Sequence, residues 1–353
     1  MIKFITVFFA ILAPISAVCD ISIGYSASAT YKINSTTSDA YPVFQNCIND
    51  IIKNGGGSVM IEEGVYSMSS NVFLGGNITI IGAGMDKTIL TLEDFASPWW
   101  NKATGSRHAG LIRATRVNNL VFKNFTLNGN RQKQNDDMYS EYGRYGFYLE
   151  ACNNVFIDSV KVVNFQGYGF DPHGIKNPKI YSVNLTIVNS ISGNNAWDGF
   201  TIDQSKNVTL QNNTSIGNGR HGFNIVTGSQ YVSLMNNTAN DNGFWYYKNT
   251  KGCGIMIQNN DDFGTSYVSV MYNSIFNSSD SAVCMTEVSN MIVSNNNINT
   301  SSVNKCIRLT NVATATVTNN VCVNAMKGLV VLTSSNVVLT NNTIEKLGRK
   351  ILL

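Results

Sequence analysis

Short apolar runs recur along the chain, and an asparagine directly precedes several of them. Asn119, Asn154, Asn207, Asn290 and Asn336 each precede a run such as Leu-Val-Phe or Val-Thr-Leu. Runs of this kind, rich in β-branched and aliphatic residues, predict β-strands. Asn290 and Asn336 lie 46 residues apart with a similar run near the midpoint, so the repeat is about 23 residues long. A fixed period in this range predicts a stack of similar supersecondary units.

Two runs keep this spacing without an asparagine. Thr314 opens the run between Asn290 and Asn336, and Pro178 opens Lys-Ile-Tyr-Ser 24 residues after Asn154. A second motif, a glycine followed by an apolar residue, shares the period, so each unit holds at least two short strands and no helix-length segment. We therefore predict an all-β chain that folds as a right-handed parallel β-helix. The motif glycines are Gly146, Gly169, Gly199, Gly222, Gly254 and Gly328.

The stretch before the repeat carries a helical pattern instead. Ser38 or Asp39 can cap the N-terminus of a helix, and the glycines at 55–57 end it. Such a helix would cover the first coil and shield its open strand edge. This opening resembles the N-terminus of pectin-lyase-like β-helix proteins. The apolar positions expected to face the coil are Phe44, Cys47, Ile48, Ile51 and Ile52.

Composition narrows the class of protein. Hydrophobic residues make up 43% of the 353 residues and the formal net charge is +3, which favours a real core and disfavours nucleic-acid or membrane-surface partners. Lys3, followed by the apolar run 4–12, predicts a secretory signal over residues 1–19 with cleavage near 17–19. We expect a secreted monomer with one β-helix domain over 20–353. The seven cysteines are expected mostly as small buried hydrophobes, although export permits disulfides.

Asparagine has a second expected use. Asn184, Asn207, Asn236 and Asn299 each stand in a glycosylation sequon. A stacked solenoid also aligns Asn side chains in hydrogen-bonded ladders, and we expect most of these residues in ladders or turns. Two intervals exceed the period, around 128–144 and 244–248, and predict loops on the binding face.

Polar chemistry concentrates in about four consecutive coils. Coils stack about 4.8 Å apart, so equivalent positions form columns, and residues two apart in a strand share a face. Positions two and four after the motif glycine give Tyr148 and Glu150, Asp171 and His173, Thr201 and Asp203, Asn224 and Val226, Met256 and Gln258. The position before the glycine gives Tyr145, Tyr168, Asp198, His221 and Cys253. Converging Tyr, His and Asp side chains are typical of a functional site.

The run Tyr168-Gly-Phe-Asp-Pro-His173 resembles the signature of mannuronan C5-epimerases. The similarity continues through Asp198-Gly-Phe and Asn218-Gly-Arg-His-Gly-Phe-Asn, and it includes Asn128-Gly-Asn-Arg. The arrangement as one catalytic module is similar to forms from brown algae and their viruses. This resemblance implies an isomerase that acts on alginate, with Tyr168 and His173 as the acid/base pair and Asp171 and Arg220 in support.

The expected substrate contacts come from the same coils and from the loop before them. The chain departs from the family where Gly174 replaces the usual Glu and where the family's catalytic Lys falls near Asp136-Asp137. Lys133 or Arg144 is the candidate replacement. The full set of expected substrate-binding residues is Asp198, Asp203, His221, Asn224, Glu150, Arg144, Arg131 and Lys133.

Epimerising a uronate at C5 requires these residue types. A C–H beside a carboxylate loses its proton only if a cation such as Arg220 neutralises the carboxylate and stabilises the enolate. One group must take the proton and another must return one to the opposite face. We assign His173 as the base and Tyr168 as the acid, and we leave open the exchange of these two roles. Asp171 would orient His173 or bind sugar hydroxyls.

Three other readings stay open. A polyuronate lyase needs the same enolate but expels the C4 oxygen. A glycoside hydrolase needs two carboxylates at a defined separation, such as Asp198 and Asp203. A non-catalytic carbohydrate-binding or structural β-helix would keep the fold without the reaction. No cofactor is required, and calcium at acidic turns such as Asp261-Asp262 is possible, although the spacing fits no known calcium loop.

Overall fold

The computed structural model describes residues 17–23, 31–33, 39–96, 109–134, 144–244, 251–260, 264–300, 305–346 and 349–352. Within these ranges the chain forms a parallel β-helix, which confirms the predicted fold class. One face is a ten-stranded sheet, here called sheet B. The other strands form a 23-stranded sheet, sheet A, which wraps the rest of the coil.

Alternating apolar and polar positions give short strands at nearly every coil. In chain order, the described strands β1 to β33 are Ala17–Ile23, Tyr31–Ile33, Gly57–Ile61, Gly64–Met68, Val72–Leu74, Ile78–Gly82, Thr88–Leu92, Ala109–Thr115, Asn118–Asn128, Arg144–Glu150, Asn153–Val163, Phe170–His173, Ser182–Val188, Ile191–Gly193, Phe200–Asp203, Ser205–Gln211, Thr214–Ile216, Phe223–Val226, Gln230–Met235, Thr238–Asn240, Ile255–Gln258, Ser266–Met271, Ser274–Phe276, Ser281–Thr286, Ser289–Ser294, Asn297–Asn299, Lys305–Thr310, Ala315–Thr318, Val321–Val323, Lys327–Leu332, Val337–Thr340, Thr343–Lys346 and Arg349–Leu352. Sheet B is built from β5, β8, β10, β12, β15, β18, β21, β24, β27 and β30.

The predicted N-terminal helix is present, as α1 at Tyr41–Lys53. Its N-cap is Ala40 rather than Ser38 or Asp39, and Asp39 instead accepts the Tyr41 N–H at 3.0 Å. Ile52 is 40% exposed, so it lies outside the buried stripe we expected. The helix packs against β1, β3 and β5 through its other apolar residues and covers the first coil as predicted.

Inward-facing side chains stack in register from coil to coil. The rings of Phe147, Phe170, Phe200 and Phe223 form one such column, with centroids 4.6–5.4 Å apart and planes within 10°. Offset or parallel stacking at this spacing stabilises the core beyond simple burial. The column lies directly behind the polar outer face of sheet B, so it gives that face a rigid support.

Asparagine ladders connect the coils, as predicted. On the surface, Asn207 donates to Asn184 at 3.2 Å and Asn184 donates to Asn154 at 3.1 Å. Each of these residues has φ between 55° and 59°, a region that Asn tolerates better than most residues. A second ladder, which the sequence did not suggest, is buried and runs through Asn213, Asn237, Asn273, Asn296, Asn320 and Asn342.

One strand assignment was wrong. Asn154 leads into β11, and the register of the next coil aligns Val155 with Leu185, so Asn184 takes the position that we gave to Pro178. Pro178 follows a cis peptide bond in the turn between β12 and β13. This coil therefore contains more residues than the usual repeat, and the extra residues come just after His173. The apolar run at 179–181 imitated a strand because a local sequence pattern does not show which partner pairs with it.

Most cysteines are paired, which corrects the expectation of small buried hydrophobes. The described residues contain the disulfides Cys19–Cys47, Cys253–Cys284 and Cys306–Cys322, and Cys152 is a buried free thiol. Cys19–Cys47 ties β1 to the capping helix. Cys253–Cys284 joins neighbouring coils, whereas Cys306–Cys322 links β27 to β29 within one coil.

Candidate active site

The polar columns lie on the outer face of sheet B. Strand register places Tyr148 beside Asp171 and Glu150 beside His173 on neighbouring coils. Phe170 points into the core, so Asp171, the next residue, points outward. The columns predicted from the motif glycines are confirmed by this register. They bring together side chains from β10, β12, β15 and β18.

A buried ion pair organises the centre of this face. Arg220 donates from Nε to Asp198 Oδ1 at 2.7 Å and from Nη2 to Asp198 Oδ2 at 2.6 Å. The same Nη2 lies 3.1 Å from the Tyr168 hydroxyl oxygen. Burial would raise the pKa of the Asp198 carboxyl, but Arg220 outweighs it and lowers that pKa to about 2. The pair therefore stays ionised and fixes a cation against the Tyr168 oxygen.

Asp198 does not face the sugar chain as we expected, because it is fully buried. It also accepts hydrogen bonds from the His221 backbone N–H and from Asn224 Nδ2, both at 2.9 Å. His221 and Asn224 are themselves buried, and Nδ1 of His221 accepts the Cys253 N–H at 3.0 Å. Burial lowers the pKa of His221 to about 4, so this ring is neutral. His221 and Asn224 thus hold Asp198 in place, and Asp198 in turn holds Arg220.

His173 lies between two carboxylates. Its Nδ1 is 3.4 Å from Asp203 Oδ2 and 3.7 Å from Asp171 Oδ1. Burial alone would lower the pKa of His173, but Asp203 and then Asp171 outweigh it and raise the pKa to about 9. The imidazole is therefore protonated near neutral pH. Asp171, which is almost fully buried, has the geometry to orient this ring.

A second polar group lies one coil before His173. The Tyr148 hydroxyl donates to Glu150 Oε1 at 3.1 Å, and the Tyr148 and His173 ring centroids are 5.5 Å apart. Arg113 pairs in register with Tyr148 and its guanidinium lies 5.6 Å from that ring. Sequence reasoning missed Arg113 because Leu111 occupies the position of the motif glycine in this coil. Arg113 is a partly exposed cation in the same column as Asp171.

Aromatic rings surround Tyr168. Its ring centroid is 4.9 Å from that of Trp197, edge to face, and 4.8 Å from that of the buried Tyr145. Burial raises the pKa of Tyr168 above its ordinary value, although Arg220 opposes this. The phenol is therefore protonated and can donate. Trp197, which sequence reasoning also missed, is partly exposed and borders the site; its signal was its position directly before Asp198-Gly.

The cations expected from the preceding loop are placed differently. Lys133 is exposed at the end of a 3-10 turn, Arg131–Lys133. Arg144 is 5% exposed and donates to Gln134 Oε1 at 2.8 Å, so it does not reach the outer face as a substrate contact. The segment 135–143, which holds Asp136-Asp137, lies outside the described residues, as do 245–248 of the aromatic loop and Asp261-Asp262.

The family comparison agrees with the fold. Residues 110–263 and 245–351 match the family model described as right handed beta helix region. These matches cover more than half of the chain, which therefore belongs to the right-handed β-helix family. No helix within the described ranges is long and apolar enough to cross a membrane.

The sequence is similar to two enzymes of Azotobacter vinelandii. The chain is 32% identical over 246 residues to mannuronan C5-epimerase AlgE1 of Azotobacter vinelandii, an alignment that spans 66% of this chain and 16% of that protein. It is 33% identical over 209 residues to alginate lyase 7 of the same organism, across 55% of this chain and 22% of the lyase. The chain thus spans less than a quarter of either relative.

A solved structure supports the same fold. The A-module of mannuronan C5-epimerase AlgE4 from Azotobacter vinelandii superposes with a TM-score of 0.69 at 23% identity. The superposition covers 88% of this chain and 79% of that module. At this identity the likeness shows the architecture, and the chemistry has to be argued from the residues of this chain.

Proposed function

We propose that this chain is a mannuronan C5-epimerase that converts β-D-mannuronate to α-L-guluronate within alginate. The observation that carries the proposal is the arrangement of side chains on the outer face of sheet B. There, a protonated Tyr168 lies next to Arg220 in the turn before β12, and His173 lies on β12 between two carboxylates. The signature Tyr168-Gly-Phe-Asp-Pro-His173 and the similarity to mannuronan C5-epimerases support the substrate class.

The pKa order assigns the two proton-transfer roles. Both Tyr168 and His173 are protonated in the resting site, so the base has to lose its proton first. The pKa of His173 is about 9, and that of Tyr168 is raised above its already higher ordinary value. His173 therefore deprotonates more readily and serves as the base, while Tyr168 is the donor.

The reaction then follows in two proton transfers. Nδ1 of His173 faces Asp203 and Asp171, so Nε2 takes the C5 proton and the electron pair moves into the carboxylate as an enolate. Arg113 and Arg220 stabilise this charge. Tyr168 then delivers a proton to C5 from the opposite face, and the tyrosinate that results lies 3.1 Å from the Arg220 Nη2. The C5 centre is inverted and no glycosidic bond breaks.

A lyase is the second candidate, supported by the 33% identity to alginate lyase 7. It would form the same enolate and expel the C4 oxygen. The test is to incubate purified protein with polymannuronate and to measure guluronate content together with the ultraviolet absorbance of unsaturated chain ends. The epimerase proposal expects guluronate without new unsaturated ends, and Tyr168→Phe should abolish its formation. Unsaturated ends as the main product would establish the lyase instead.

Export completes the proposal. We propose that the signal predicted within residues 1–19 ends at Ser16 and that a single domain acts outside the cell. Disulfides such as Cys19–Cys47 form in oxidising compartments, which supports export. Cleavage between Ser16 and Ala17 would retain Cys19. The intact mass of the secreted protein would give the cleavage site directly, and retention of residues 1–16 would contradict this part of the proposal.

A further inference from the structure

The outer face of sheet B continues beyond the catalytic coils. Asn224 is followed in register by Met256, then Cys284 and then Arg308. Met256 and the Cys253–Cys284 disulfide form a small apolar cluster that is separate from the core. All three side chains are buried, with Met256 8% and each cysteine at most 1% exposed, so the cluster offers no apolar surface to a ligand. It fills the face between the catalytic coils and Arg308.

Two cations beyond this cluster share one carboxylate. Arg308 Nη2 lies 2.9 Å from Asp280 Oδ2, and Lys305 Nζ lies 3.3 Å from Asp280 Oδ1. Lys327, which is exposed, follows Lys305 in register on the next coil. We call Arg308 and Lys305 the distal cation pair. With Asp280 included, the group keeps a net positive charge.

The Arg220–Asp198 and Arg308–Asp280 pairs on this face differ in one respect. Arg220 engages its partner through both Nε and Nη2. Among the described residues, the Nε of Arg308 is buried without a hydrogen-bond partner, and its contact with Asp280 is through Nη2. Arg308 is therefore held by Asp280 less fully than Arg220 is held by Asp198, and its partly exposed guanidinium keeps N–H donors for an anionic ligand. The side chains of Arg308 and Lys305 are 27% and 34% exposed and thus accessible.

The spacing suits a polymer rather than a small ligand. Arg308 on β27 lies five strands along sheet B from Asp171 on β12, which corresponds to about 24 Å at the usual separation of strands. A monosaccharide held at the catalytic coils would not reach it. A polyuronate that runs along the same face would place a carboxylate there, several sugar units away from the reacting one.

We propose that the distal cation pair is a second carboxylate-binding site, which holds a remote uronate of the same polysaccharide chain. This inference rests on the proposed function for its ligand class. Its consequence is that affinity depends on chain length, because only chains that span both sites gain the distal contact.

A purely structural role predicts a different outcome. The same ion pairs join Asp280, which directly precedes β24, to β27, so they could serve only to hold neighbouring coils together. In that case Arg308→Gln would lower the unfolding midpoint and leave substrate affinity unchanged. Lys305→Gln is the milder second variant, because it leaves the Arg308–Asp280 contact in place. Comparing both variants separates binding from folding.

The test measures KM on oligomannuronates of increasing length and on polymannuronate, and the Kd for polymannuronate by calorimetry. For Arg308→Gln we expect KM and Kd for the polymer to rise about three- to tenfold, the net contribution of a typical hydrogen bond, with kcat retained. Chains too short to span both sites should show no difference. Lys161→Gln is the matched control, since Lys161 is 34% exposed and paired with Asp86 on sheet A.

The outcomes separate this inference from the proposed function. If the wild type epimerises and Arg308→Gln matches Lys161→Gln at every chain length, the distal site is refuted and the function stands. If the wild type makes no guluronate, the proposed function fails, and the calorimetry decides the inference alone. Polymannuronate binding that weakens in Arg308→Gln would then support it, and unchanged or absent binding would refute it.

Discussion

The most informative perturbation is the removal of one charge beside His173. Asp203 Oδ2 lies 3.4 Å from the His173 Nδ1, and its carboxylate is the largest of the effects that raise the pKa of His173 to about 9. If the neutral ring is the base, roughly one molecule in a hundred is active at pH 7. We therefore expect kcat/KM of the wild type to rise close to tenfold per pH unit from 7 and to level near pH 9.

Asp203→Asn should move this rising limb to lower pH. An opposite charge at this distance shifts a pKa by about one to three units, and Asp171 remains to hold part of the effect. The midpoint of the limb should therefore fall by about one to three units, whatever happens to the plateau. The assay is initial-rate epimerisation of polymannuronate, well below KM, across pH 6 to 10 at constant ionic strength.

The control is Asp158→Asn, which removes a carboxylate from sheet A that accepts only local Asn and Ser hydrogen bonds among the described residues. It should leave the limb in place. A limb that does not move in Asp203→Asn would mean that His173 is not the titrating base. A wild-type rate that falls between pH 7 and 9 would mean that His173 acts in its protonated form, which reverses the roles of His173 and Tyr168.

Three further predictions follow from the same contacts. Asp198→Asn leaves the Arg220 cation without the buried carboxylate that pairs with it. Because the Arg220 side chain is 22% exposed, we expect the free energy of unfolding to fall by about 2–3 kcal/mol, at the low end for such pairs. Urea denaturation against Asp158→Asn measures this loss, and equal stability of the two variants would contradict it. Trp197→Leu removes the ring that packs on Tyr168 and should raise KM about three- to tenfold. Trp197→Phe keeps an aromatic ring and should retain most of the affinity. An equal loss of affinity in both variants would exclude an aromatic contact with sugar. The folded-state pKa of His173 is about 9, above its ordinary value of 6.5. The pairing of His173 therefore stabilises the fold fully below pH 6.5, and this contribution is lost as the pH rises to 9. The urea midpoint should fall over that window, less so in Asp203→Asn, and a midpoint that rises would contradict the assignment.

The columns of the site could be predicted from the sequence because strand geometry leaves little choice. Once Gly146 and Gly169 are aligned, the two-residue alternation of a strand and the stacking of coils place Tyr148 beside Asp171 and Glu150 beside His173. The same reasoning failed at Pro178, where an apolar run imitated a strand inside a turn. Aligning the motif glycines predicts which residues lie side by side on adjacent coils only where those coils contain the same number of residues.

Pairing across columns could not be predicted. Arg220 stands two residues before its motif glycine and Asp198 one residue before the glycine of the previous coil, so their contact depends on side-chain direction. The sequence suggested that both would face the substrate, whereas the buried ion pair turns Asp198 inward. The Cys253–Cys284 disulfide is similar, because it joins different positions of adjacent coils. Such contacts depend on rotamers and local depth, which a periodic pattern does not contain.

Proton NMR of polymannuronate after incubation in deuterated water measures proton exchange at C5 and chain cleavage in one experiment. We expect new guluronate signals with deuterium at C5 and no unsaturated ends. Tyr168→Phe should make no guluronate, and His173→Ala should lose both the guluronate signals and the label. A polymer that keeps its mannuronate composition and takes up no deuterium, with calcium present and absent, would contradict the proposed function.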